Sequence, residues 1–114
     1  MTLSARVVAT PASRRELVQA LVGWAEAVRQ APGLLHASVA EDVEAEAAFE
    51  LVAEWATEKE LEAHLFSDTF GVLLGATEVL GLSVRVNVAR TADEYGMDAI
   101  KKRREARWAA AQRR

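Results

Sequence analysis

Residues 49–55 read Phe-Glu-Leu-Val-Ala-Glu-Trp, and this alternation constrains the fold more than any other stretch of the chain. Phe49, Leu51, Ala53 and Trp55 share one side of an extended strand, while Glu50, Val52 and Glu54 share the other. The first side must be covered by apolar material, and the second tolerates charge. Directly downstream, Thr57 and Glu60 make a T-x-x-E capping box that opens a helix carrying Leu61, His64 and Leu65. Ser67-Asp68 can cap again. The segment from Thr69 to about Leu80, with Phe70, Leu73, Leu74 and Thr77 at helical spacing, therefore reads either as the same helix after a kink or as a new one, with Gly81 as its stop.

The flanking sequence supplies the rest of the fold. Residues 2–9 alternate, with Leu3, Ala5, Val7 and Ala9 opposed to Ser4, Arg6 and Val8, as in a strand. After Pro11, Ser13 and Glu16 form an S-x-x-E box, and Leu17, Leu21, Trp24 and Val28 line one stripe of the helix it should start. Pro32-Gly33 breaks that helix. A second strand follows within GLLHASVAED, in one of two registers, Leu35/Ala37/Val39 or Leu34/His36/Ser38/Ala40, and the acidic residues 41–46 connect it to the strand of residues 48–55. LSVRVNVAR is the last strand, with Leu82, Val84, Val86 and Val88 on one side.

The resulting order is β-α-β-β-α-β, an α+β, ferredoxin-like fold with a four-stranded antiparallel sheet and its helices on one face. The uncovered face is expected to hold Ser4, Arg6, Val8, Leu34, His36, Val52, Glu54, Arg85 and Asn87. Its mixture of aliphatic and charged groups favours packing against a second copy, with Arg6 and Arg85 pairing with Glu50 and Glu54. A homodimer through the open sheet face is the expected assembly.

Residues 1–91 form the expected domain, and 92–114 a basic C-terminal helical extension. Seven Arg/Lys stand against thirteen Asp/Glu in the first part and seven against four in the second. Ile100 and Trp108 would dock the extension on the acidic body or on a neighbouring subunit. Nucleic acid is not an expected partner, because the body is acidic and shows no stacking aromatics on a basic sheet. A membrane is not expected either, because the apolar stripe of the tail is thin and no run approaches the roughly 20 residues that span a bilayer. With no leader-like N-terminus, a cytoplasmic location is expected. The absence of cysteine rules out thiol chemistry and disulfides.

Motifs for nucleotides, zinc proteases and serine hydrolases are missing. His36 and His64 lie too far apart in sequence for a metal signature, so no metal is expected. Glu50 and Glu54 sit about 13 Å apart along a strand, too far to share a proton. His64 is the best candidate for acid–base work, since an imidazole titrates near neutrality and this one lies on an apolar helix side; a histidine bonded at the edge of the core is the plain alternative. Trp55 either lines a pocket for a flat ligand or closes the layer between sheet and helix.

The Pro32-Gly33 pair, the strand Phe49–Trp55 and the run Leu61-Glu62-Ala63-His64-Leu65 followed by Ser67 and Phe70 resemble the antibiotic biosynthesis monooxygenase family over about residues 1–90. The resemblance implies a dimeric α+β barrel of two face-to-face sheets. It also implies a monooxygenase that oxidises a small aromatic or quinol substrate with molecular oxygen and no cofactor, or else a non-catalytic dimeric binding or stress-response protein for an aromatic metabolite. His64 is then the expected catalytic residue. Trp55, Phe70, Leu74 and Trp24 are the expected substrate-binding residues, with Arg85 and Asn87 as polar candidates taken from strand position. A related branch degrades haem with a histidine four residues beyond the Phe, a position held here by Leu74. Its first-strand Asn has no counterpart, and it carries a tryptophan at the position of His64, so haem degradation is disfavoured.

Overall fold

A computed structural model of the chain describes residues 1–80, 82–90 and 96–113. The elements are β1 (Thr2–Val8), α1 (Arg14–Val28), β2 (Leu34–Glu41), β3 (Ala48–Trp55), α2 (Glu58–Leu65), α3 (Asp68–Val79), β4 (Ser83–Ala89) and α4 (Met97–Gln112). The strands form one antiparallel sheet in the order β2-β3-β1-β4. The fold is thus α+β and ferredoxin-like, with a C-terminal helix added. The Gly81 stop and the 91/92 boundary lie outside the described residues.

Alternation decides which side chains are covered. Leu3, Ala5 and Val7 of β1 and Phe49, Leu51, Ala53 and Trp55 of β3 are buried beneath Leu17, Leu21, Trp24 and Val28 of α1, Leu61 of α2 and Phe70 and Leu73 of α3. Removing such side chains from water is the main favourable contribution to folding. Thr57 and Ser67 cap α2 and α3, their side chains accepting from the Glu60 and Phe70 amides at 3.2 and 3.3 Å. The chain after Ser67 is therefore a new helix. Ser13, by contrast, does not cap α1 through its side chain: its hydroxyl is held by Thr10, whose amide donates to Oγ at 3.1 Å.

Three expectations need correction. A register irregularity between Leu34 and His36 places Leu34 opposite Trp55 and His36 opposite Glu54. Leu34 consequently packs against the core, not on the open face, and Leu35 is 68% exposed. One extra residue in a strand shifts the side-chain alternation by one. Arg6, expected to pair across a dimer, is engaged within its own chain by Asp42 and Glu50, both at 3.1 Å. Finally, Val84, Val86 and Val88 do lie on the helix side, opposite Val7, Ala5 and Leu3, yet all three remain exposed. β4 is an edge strand, and the main helix-to-sheet packing is of α1 on β2 and α2 on β3.

Candidate functional site

Trp55 ends β3 with its side chain on the covered side of the sheet, and its amide donates to the Met1 carbonyl at 2.8 Å. Farther along the chain, α2 brings His64 over it. The two rings stack with centroids 4.9 Å apart and planes 30° from parallel. Phe70 of α3 lies tilted against the imidazole at 5.3 Å. Trp24 of α1 donates its indole N–H to His64 Nε2 at 3.2 Å. Three other chain segments thus converge on the ring of His64, a residue that is 4% exposed.

The main chain beneath that ring is also fixed. The Ser67 hydroxyl donates to the His64 carbonyl at 2.6 Å while its oxygen caps α3. One serine closes the end of α2 and opens α3, so the angle between the helices and the position of the imidazole are set together.

The bond from Trp24 fixes the chemistry of His64. An indole N–H only donates, so Nε2 is the unprotonated nitrogen and the proton of the neutral ring sits on Nδ1. Burial lowers the His64 pKa from the ordinary imidazole value. The ring is therefore a neutral hydrogen-bond donor through Nδ1, and its basic lone pair is already engaged.

A cavity of about 310 Å³ opens beside this cluster, lined by Pro32, Trp55, Glu60, Ala63, His64 and Ser67 among others. That is the small end of the range of roughly 300–1,000 Å³ for small-molecule pockets and suits one or two fused rings. Glu60, which the sequence presents only as a capping residue, belongs to this wall. It lies four residues before His64, hence on the same stripe of α2, and that spacing is the signal that could have found it. Its carboxylate occupies the space where a Cβ on Gly33 would stand, and Gly33 has φ +79°. The Pro32-Gly33 breaker thereby shapes the cavity floor.

The structure does not bring all the candidates together. Arg85 and Asn87 are on the opposite face of the sheet, in β4, where with Ser4, Arg6, Glu50 and Val52 they line a separate cavity of about 250 Å³. Leu74 is 38% exposed on α3 and does not line the His64 cavity. Trp24, Trp55, Phe70 and His64 form one cluster. Among the described residues no three His, Cys, Asp or Glu side chains are placed to hold a metal ion.

The sequence pattern of the antibiotic biosynthesis monooxygenase family matches residues 1–73. Among solved structures, a candidate antibiotic biosynthesis monooxygenase from Deinococcus radiodurans is 25% identical, over 84% of this chain and 99% of its own, with a TM-score of 0.70. A Pseudomonas aeruginosa protein is also 25% identical, over 80% of this chain and 93% of its own, with a TM-score of 0.69. A conserved protein from Methanosarcina mazei Go1, 21% identical over 80% and 91% of the two chains, shares the fold with a TM-score of 0.72. The search of curated proteins gave no significant match.

Proposed function

Because the chain belongs to the antibiotic biosynthesis monooxygenase family, we propose that it oxidises a small aromatic or quinol substrate with molecular oxygen and no cofactor, in the cavity beside His64. The observation that carries this reading is the ring cluster itself, in which Trp24, Trp55 and Phe70 surround an imidazole whose protonation state is fixed at the edge of a largely apolar cavity. Of these rings Trp55 and His64 line the cavity, where a flat substrate can lie against them away from water, while Trp24 and Phe70 support the imidazole without lining the cavity. An electron-rich phenol, once deprotonated, can itself reduce oxygen. Where a ring methylene is in tautomeric exchange with the phenol, one molecule of oxygen converts that methylene to a ring carbonyl. Both C–H bonds are lost, one oxygen atom stays on the carbon, and the other leaves as water with the two hydrogens. All four electrons come from the substrate. His64 Nδ1–H then serves as the donor to the substrate anion, a charge that matters more in a dry site than in water.

Oxygen uptake with a panel of hydroquinones tests this. The wild type should consume oxygen with at least one of them, and His64→Ala should lower kcat/KM by about 10²-fold, as for loss of a donor to a developing anion. No uptake by the wild type, or full activity in a folded His64→Ala variant, overturns the reading. The engaged lone pair of His64 favours a second reading, in which the cavity binds an aromatic metabolite without converting it. Saturable quenching of tryptophan fluorescence with the ligand recovered unchanged is its signature.

Assembly completes the proposal. The open sheet face, with Val8 and Val52 among polar and charged neighbours, packs against the same face of a second chain to form a dimeric α+β barrel.

A further inference from the structure

We propose that the cavity beside His64 selects for a free hydroxyl group on its aromatic ligand, with the Glu60 carboxylate as acceptor and the Trp55 indole N–H as donor. The proposal rests on the aromatic-ligand reading of this cavity and adds the groups that read the ligand. Two buried side-chain atoms among the described residues lack a hydrogen-bond partner: Trp55 Nε1 and Glu60 Oε2. Both residues line the same cavity.

Buried polar atoms in folded proteins are nearly always paired, so an unpaired donor and an unpaired acceptor in one cavity wall mark places for ligand atoms. An indole N–H can only donate and an ionised carboxylate can only accept. A hydroxyl group matches both, because its hydrogen goes to Glu60 while its oxygen accepts from Trp55. Other small groups match less well. An ether oxygen leaves Glu60 unpaired, a carboxylate meets Glu60 with like charge, and an ammonium offers nothing to Trp55.

The acceptor is held in place by main-chain geometry. Glu60 lies over Gly33 in the space a side chain would fill, and the left-handed backbone of Gly33 leaves that space open. The cation Arg90 is committed elsewhere, to Glu58 at 3.0 Å. Trp55 is equally constrained: it is 2% exposed and stacked on His64. Donor and acceptor are thus both preorganised, which is what selectivity for a single group requires.

The test is calorimetric binding to the full chain under argon, so that neither turnover nor autoxidation interferes. The probes are 1,4-dihydroxynaphthalene and its dimethyl ether. The wild type should bind the diol at least about tenfold more tightly than the ether. Glu60→Leu, which fills the space without an acceptor, should reduce that ratio below about threefold. Should Glu60→Leu fail to fold, Glu60→Met removes the acceptor with an unbranched side chain and should lower the ratio in the same way. A wild type that binds both probes equally, or neither, overturns the proposal, as does a ratio that survives in the folded variants. Oxygen uptake is scored separately. Selective binding without uptake removes the oxygenase reading and leaves hydroxyl recognition standing, whereas uptake without selectivity does the reverse.

Discussion

A histidine that accepts from an indole loses that bond when it takes up a proton, so His64 resists protonation for two reasons, burial and Trp24. Its folded pKa lies below the unfolded value of about 6.5, so the unfolded chain binds the proton more readily. The resulting stability is fully present above about pH 6.5 and declines as the pH falls through the lowered folded value. Thermal unfolding between pH 5 and 8 should show this decline in the wild type and a flatter profile in His64→Gln. Glu41, held low by Arg14, and Asp42, held low by the Glu44 amide and Arg6, act only at more acidic pH. Gly33→Ala should destabilise by about 1–3 kcal/mol in urea unfolding, because an L-residue is strained at that φ and its methyl meets the Glu60 carboxylate. Gly23→Ala, in the middle of α1 where a Cβ meets nothing, should instead stabilise by about 0.4–1 kcal/mol. The spacing of Glu60 and His64 on α2 was legible in the sequence, but the contact of the Glu60 carboxylate with Gly33 was not, because it depends on a backbone vacancy that no local pattern around residue 60 carries.

Helix starts show how far sequence grammar extends at the scale of elements. The Thr57 hydroxyl caps α2 and the Ser67 hydroxyl caps α3, although the Glu60 carboxylate does not return the second bond of the T-x-x-E box; the Ser13 side chain does not cap α1, because Thr10 lies close enough to bond the same hydroxyl. A capping box states which bonds are available, and the preceding turn decides which are made. Ser67→Ala should therefore cost about 0.5–2 kcal/mol by chemical denaturation, since it removes both the α3 cap and the bond to the His64 carbonyl. Glu16→Ala should stay within about 0.5 kcal/mol, as no bond from its side chain returns to the start of α1. Both faces of β1 and β3 were legible because their alternation is clean. β2 was not, because Leu34 and Leu35 make either register similarly apolar, and the irregularity that separates them is a property of pairing with β3.

At the scale of the whole molecule, apolar surface is concentrated where this chain has nothing to cover it. Val84, Val86 and Val88 on the edge strand β4 lie on the helix side but stay exposed, and the open face of the sheet joins Val8 and Val52 to a row in which Arg85 stands beside Arg6. If two such faces meet, Val52→Lys adds a third cation to the seam and should convert a dimer into a species with the mass of one chain in light scattering. α4 lies outside the compact part. Ile100 and Trp108 are 43% and 68% exposed, so neither docks on the body of its own chain, and the radius of gyration of 18.2 Å exceeds the roughly 13 Å of a compact domain of about 100 residues. Its sixteen residues bury no side chain. Helices of that length standing alone in water are near the midpoint of the helix–coil equilibrium, because nucleation is costly and no buried side chain offsets it. The tail therefore behaves as a segment whose helicity is set by its surroundings. Its run of Lys101, Lys102, Arg103 and Arg104 should be the first site cut by trypsin, at a rate that falls when any partner holds the helix wound.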